Sequence, residues 1–168
     1  MHHTKILCVT LLLCANLAHA APAHVHGVAN LELAVEGDQL TLDLDMPLDN
    51  TVGFEHPPRN DKEKAALAAL MKLLQNGAEL FVPAAAADCK LEKVKLEDAF
   101  PDGKAKADGH AEVGAFYVFR CTQPAALKAM ETSLFRHFSR LQRVDAQRAT
   151  PGGQGSARMT PDQPSLAW

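Results

Sequence analysis

Two histidines one residue apart, in the stretch His24-Val25-His26-Gly27, are the first side chains of the sequence that could bind a metal ion together. If this stretch opens a β-strand, both imidazoles point to the same face, about 6.6 Å apart at roughly 3.3 Å of rise per residue. Two neutral imidazoles placed in this way supply half of a tetrahedral zinc site. An isolated pair near a terminus is more often part of a solvated tail, so the zinc hypothesis depends on further ligands elsewhere in the chain.

The elements that must position this pair begin with a β-hairpin. Residues 25–35 and 40–46 alternate apolar and polar side chains on either side of Gly37-Asp38, which predicts two strands with one dry and one wet face. If Gly37 and Asp38 form the loop, Glu32 lies opposite Asp43 on the wet face. Such a pair is unfavourable unless solvent screens it or a cation lies near this face.

His56 is the third candidate ligand, because the predicted topology returns it to the histidine pair. Pro47 ends the second strand, and an antiparallel partner carries the chain after it toward the start of the first strand. The prolines 57 and 58 restrict the loop around His56. We therefore expect His24, His26 and His56 to act as one unit that binds about one zinc ion.

Residues 1–20 have the features of a secretory signal: Lys5 near the start, an apolar run at 6–13 that is too short to span a bilayer, and Ala18-His19-Ala20 before the cleavage point. We expect cleavage after Ala20, a mature chain of residues 21–168 and a periplasmic location. Cleavage one residue later would put His24 third. An amine, two amides and an imidazole could then hold Cu(II) or Ni(II) in a square plane.

The composition favours one exported domain and excludes several other classes. Residues 21–168 suffice for one hydrophobic core but not comfortably for two. The chain has 17 basic and 20 acidic residues, a formal net charge of −3, which gives no support to nucleic-acid binding. No apolar stretch after residue 20 approaches membrane-spanning length, so we expect no membrane insertion of the mature chain.

Two cysteines, Cys89 and Cys121, remain after removal of the signal, which contains the other two. In an oxidising compartment a lone pair is expected to form a disulfide, and closing a loop of about 30 residues contributes on the order of 3.5 kcal/mol. Thiolate metal ligands or a redox pair are the competing interpretation. The chain has no Cys-x-x-Cys spacing to support them.

The rest of the chain predicts an α+β fold, an antiparallel β-sheet covered by one main α-helix. Asn60 and Glu63 form a capping box before an apolar stripe, so we expect a helix over residues 61–75. Strands are predicted at 79–82, at 89–96 and from 110 to 119, and a short helix within 127–141. A terminal hairpin is predicted from 143–149 and 156–159.

Five stretches of the sequence, taken in their order and spacing, are typical of one known family: His24-Val25-His26-Gly27, Val52-Gly53-Phe54-Glu55-His56-Pro57-Pro58, residues 84–89, Phe116-Tyr117-Val118-Phe119-Arg120-Cys121 and Leu134-Phe135. By these stretches the sequence resembles the ZrgA-type periplasmic zinc-binding proteins. The resemblance implies capture of zinc, a role in bacterial zinc supply and a zinc transporter component as a candidate partner. It also makes His110 a candidate ligand, with Glu112 as an alternative ligand or a hydrogen-bond acceptor. Many members carry a histidine-rich loop before the third group of strands, whereas residues 97–109 of this chain contain no histidine.

No catalytic motif competes strongly with zinc binding. The sequence lacks a His-Glu-x-x-His pair and a phosphate-binding glycine loop, and Gly153-Gln154-Gly155-Ser156 has neither the preceding strand nor the following helix of a nucleophile elbow. Two alternatives stay open: a zinc hydrolase, which needs only three protein ligands and an open position, and a metal-free structural module of the envelope. His137 falls outside the apolar stripe of its segment and is not assigned to the site.

Overall fold

The computed structural model describes residues 25–104 and 110–168. The expected signal, His24 and residues 105–109 lie outside this part. In chain order the elements are β1 (Val28–Glu36), β2 (Gln39–Pro47), α1 (Asp49–Val52), α2 (Asp61–Gln75), α3 (Gly77–Leu80), β3 (Phe81–Pro83), β4 (Cys89–Glu97), β5 (Glu112–Cys121), β6 (Ala129–Thr132), α4 (Leu134–His137), β7 (Arg143–Thr150), β8 (Gly153–Met159) and β9 (Ser165–Ala167).

The larger sheet has six strands in the order β4-β5-β2-β1-β7-β8. Its β1–β2 hairpin has the predicted register, with Val35 opposite Leu40 and Glu32 opposite Asp43. The predicted terminal hairpin is also confirmed as β7 and β8. One pairing, β1 with β7, is parallel, so the sheet is largely but not wholly antiparallel.

The core lies between the dry face of this sheet and a layer that contains α2 and a small second sheet, β3-β6-β9. Tyr117 on β5 joins the layers, because its hydroxyl donates to the carbonyl of Leu74 on α2 at 2.9 Å and its ring lies 5.3 Å from that of Phe81 on β3. The mixed α+β fold with one main helix is therefore confirmed. Among the described residues, no helix has the length and apolarity needed to cross a membrane.

The predicted main helix and disulfide are both present. Asn60 caps α2 by accepting from the backbone N–H of Glu63 at 2.9 Å, and the Glu63 carboxylate accepts from the N–H of Arg59 at 2.7 Å. Cys89 and Cys121 face each other across β4 and β5 and are bonded. This bridge ties an edge strand to its neighbour and closes the loop between them.

One predicted element is wrong in part. Residues 79 and 80 of the strand predicted at 79–82 belong to the helical turn α3, and the strand β3 begins only at Phe81. The short helix predicted within 127–141 is present as the single turn α4, and the strand β6, which the sequence does not predict, precedes it. Buried Met130 and Thr132 alternate with Ala129 and Glu131, and a two-residue period over four residues is too short to separate from a helical pattern.

Candidate metal centre

His26 lies in a tight turn before the sheet, so the prediction that it points from a strand face is wrong. β1 begins at Val28, whose N–H donates to the carbonyl of Val25 at 3.1 Å. Gly27 takes a positive φ of 81°, and a Cβ at this position would lie 3.0 Å from the side chain of Gln142. This conformation favours glycine after His26, and it places His26 in the turn, outside the strand register.

Glu55 lies in the loop that follows the helical turn α1. The sequence predicts His56, the next residue of this loop, as a metal ligand. Gly53 ends α1 with a φ of 83°. Phe54 and His56 then stack on each other, with ring centroids 5.1 Å apart and planes inclined by 24°. Glu55, between them, contacts His26 and His110 instead.

His110 enters from the opposite direction, two residues before β5. Its neighbour Ala111 is fully buried and accepts a hydrogen bond from the backbone N–H of Leu48 at 2.8 Å. Glu112, the first residue of β5, pairs with Pro47 at the end of β2. The sheet thus delivers His110 to the same end as the turn of His26.

The three side chains converge on one point. His26 Nε2 lies 3.2 Å from Glu55 Oε1, and His110 Nδ1 lies 3.1 Å from Glu55 Oε2. One ligand atom of each residue lies within 4.8 Å of the others, and these residues form the only such group of three found in the described part of the chain. We call His26, Glu55 and His110 the triad. The carboxylate is the shielded member, with 13% of its side chain exposed against 56% for His26 and 48% for His110.

The triad fits a zinc ion by donor type and by size. Zinc takes imidazole nitrogen and carboxylate oxygen at about 2.0–2.2 Å, so two ligands of a tetrahedral shell lie about 3.4 Å apart. Each imidazole nitrogen lies close to that distance from a different oxygen of Glu55, His26 Nε2 at 3.2 Å from Oε1 and His110 Nδ1 at 3.1 Å from Oε2. With one ligand atom taken from each residue, all separations are within 4.8 Å, so none exceeds the tetrahedral value by more than about 1.4 Å. Both imidazoles are half exposed and can rotate to close such a gap.

The other predicted ligands are not members of the triad. His56 directs its Nδ1 to the carbonyl of Pro57 at 3.0 Å and lies 3.9 Å from Glu63 Oε2, which leaves Nε2 as the ring atom that could bind a metal. Glu112 lies two residues beyond His110, and His24 is outside the described residues. Their assignment as ligands therefore stays a prediction. His137, which the sequence does not assign to the site, lies 3.6 Å from Glu79 on α3.

Glu55 is the residue that sequence analysis missed. It was visible only as the acidic neighbour of His56, and a carboxylate beside a histidine in a loop is too common to mark a site by itself. The informative signal was the alternation of Phe54-Glu55-His56. If the apolar ring at position 54 packs inward and His56 follows it, the carboxylate points the other way.

A cluster of carboxylates surrounds Asp45 on the open face of the sheet. The pKa of Asp45 is raised by partial loss of solvent and then by the negative charges of Asp43, Glu112, Glu97 and Glu32. The predicted opposition of Glu32 and Asp43 belongs to this cluster. Basic side chains lie on the same sheet, where Lys95 pairs with Glu97 at 3.4 Å and Arg158 pairs with Asp145 at 3.1 Å. The excess of negative charge is therefore local to the surroundings of Asp45.

Comparison with known proteins points in the same direction. No curated protein is similar enough to this chain to count as a match. Residues 23–168 match the family described as ZrgA family zinc uptake protein. The match covers both histidines of the triad, its carboxylate and both cysteines, and it includes the bulk of the chain. The protein belongs to the ZrgA family of zinc uptake proteins.

Proposed function

We propose that the protein captures Zn(II) in the periplasm and supports zinc supply, with the triad as its binding centre. The observation that carries this proposal is the convergence of His26, Glu55 and His110, whose ligand atoms lie within 4.8 Å of one another. Zinc is the cargo of this centre. A binding role, with no substrate turned over, agrees with the family description as zinc uptake.

The chemistry of the donors supports zinc over harder cations. Two imidazoles and one carboxylate suit zinc, whereas magnesium and calcium favour all-oxygen sites. One negative charge among two neutral ligands leaves a net positive centre when zinc is bound. Three protein ligands also leave a fourth position, for which His24, His56, Glu112 and water are the candidates.

The exposure of the triad supports exchange of the ion. Half of each imidazole faces solvent, so zinc can enter and leave without opening the core. A purely structural zinc is normally enclosed by four protein ligands. The disulfide between Cys89 and Cys121 agrees with an oxidising compartment. The partner that we propose for this role is a zinc transporter component.

Metal analysis of protein taken from the periplasm, followed by zinc titration of the stripped protein, tests the proposal. We expect about one zinc per chain. His26→Ala and His110→Ala should each weaken binding by about 100-fold or more, beyond the 10–100-fold typical of residues that only support a ligand. His137→Ala is the matched control, since it removes a partly exposed histidine outside the triad. Unchanged affinity in both triad variants would exclude this centre.

A further inference from the structure

Asn50 is a buried polar residue at the base of the triad. It is 1% exposed, and only Thr132 and Ser133 share such burial among the polar residues of the described chain. Its Oδ1 accepts from the backbone N–H of Gly27 at 2.6 Å, and its Nδ2 donates to the carbonyl of Val28 at 2.9 Å. Both the oxygen and the nitrogen of the side-chain amide therefore bond to the backbone that directly follows His26.

The same turn reaches the other two members of the triad. Asn50 lies in α1, which ends at Gly53, two residues before Glu55. The residue that precedes α1, Leu48, donates its N–H to Ala111, the neighbour of His110. One four-residue turn therefore adjoins all three ligands, and its link to His26 is made by a side chain.

We propose that Asn50 is the positioning residue of the metal centre, one that holds the His26 turn at a fixed distance from Glu55. This inference rests on the proposed zinc-binding function. The role demands one acceptor and one donor on a short side chain. Aspartate would set an oxygen against the carbonyl of Val28, and leucine would leave the N–H of Gly27 buried without a partner.

A buried amide also stabilises the fold, so the test must separate positioning from stability. Ser133→Ala is the matched control, because Ser133 is 3% exposed and its hydroxyl donates to the carbonyl of Glu79, outside the triad. Asn50→Ala and Ser133→Ala should both lower the unfolding temperature of the zinc-free protein. Only Asn50→Ala should weaken zinc binding, by about 10- to 100-fold, the range measured for residues that orient metal ligands.

Zinc titrations are made well below the unfolding temperature of each variant, with folding verified by circular dichroism. If Asn50→Ala does not fold, Asn50→Ser replaces it, since its hydroxyl is too short to reach both backbone groups. The expected result for Asn50→Ser is the same loss of zinc affinity. Equal losses of affinity in the Asn50 and Ser133 variants, or none in the Asn50 variant, would overturn the inference.

A double-mutant cycle decides whether Asn50 acts through His26. Once His26→Ala has removed the imidazole, Asn50→Ala should change zinc affinity by no more than about twofold, because the ligand whose turn Asn50 holds is gone. If Asn50→Ala weakens zinc binding equally in the parent protein and in the His26→Ala variant, the positioning role is contradicted while the proposed metal centre stands. If His26→Ala itself leaves zinc affinity unchanged, the failure belongs to the proposed centre.

Discussion

Substitution of Glu55 tests the triad most directly, because this residue contacts both of its histidines. Its carboxylate bridges both imidazoles, whereas the adjacent His56 bonds to Pro57 and stacks on Phe54. Glu55→Gln keeps the size of the side chain and removes its charge. We expect this one substitution to weaken zinc binding more than His56→Ala does.

The size of the effect follows from the position of the carboxylate. With 13% of its side chain exposed, Glu55 is screened less by water and salt than a surface carboxylate. It is also the only anionic member of the triad, so a neutral amide leaves zinc with two imidazoles and a weak oxygen donor. Replacing a residue that only orients a ligand weakens metal binding by 10–100-fold. We therefore expect Glu55→Gln to weaken zinc binding by about 100-fold or more, which corresponds to about 2.8 kcal/mol or more of binding free energy.

Competition with a chromophoric chelator measures these affinities at fixed pH and ionic strength. His56→Ala removes a ring stack and one hydrogen bond from the loop, so a loss of about tenfold or less is expected from altered loop order. The reasoning fails if His56→Ala weakens zinc binding as strongly as Glu55→Gln. That outcome would support the three-histidine site predicted from the sequence and would require the loop to turn His56 toward His26 on binding.

Four further predictions concern the disulfide, Asp45, the N-terminus and the pH dependence of zinc binding. Exported protein should contain no alkylatable thiol by mass spectrometry, and replacing Cys89 and Cys121 by serine should cost about 3.5 kcal/mol of unfolding free energy in urea. The raised pKa of Asp45 means that the folded state holds this proton more tightly than the unfolded chain. Because Asp45 is exposed and water screens its neighbours, Asp45→Asn should add only about 0.5 kcal/mol or less to the free energy of unfolding at neutral pH. In urea titrations that gain should disappear as pH falls through the raised pKa. N-terminal sequencing should find Ala21, whereas Pro22 would favour copper or nickel binding. Zinc titrations at about pH 7.5 and 5.5 should show weaker binding in acid, because protons compete for the imidazoles.

Periodicity and cap chemistry predicted the elements whose causes are local. The hairpin register followed from alternation around Gly37-Asp38, and the start of α2 from Asn60 and Glu63. The parallel pairing of β1 with β7 could not be predicted in the same way. It joins residues more than 100 positions apart, and no local pattern specifies which distant strand will lie beside β1. The second sheet could not be predicted either, because β3, β6 and β9 have three or four residues each and are too short to show a periodic pattern.

The candidate site shows the same division at the scale of single residues. Topology correctly predicted that the loop after β2 returns to the end of the sheet near His26, because an antiparallel partner leaves the chain no other direction. Successive side chains of that loop point to opposite sides, so only every second one faces the histidines. A shift of one residue would exchange Glu55 for His56 at that position. Two features set which residue faces the histidines, the left-handed Gly53 and the packing of Phe54 against the core. The residue that completes the triad is therefore decided by a backbone turn two residues before it, and that turn is held to the His26 segment by Asn50.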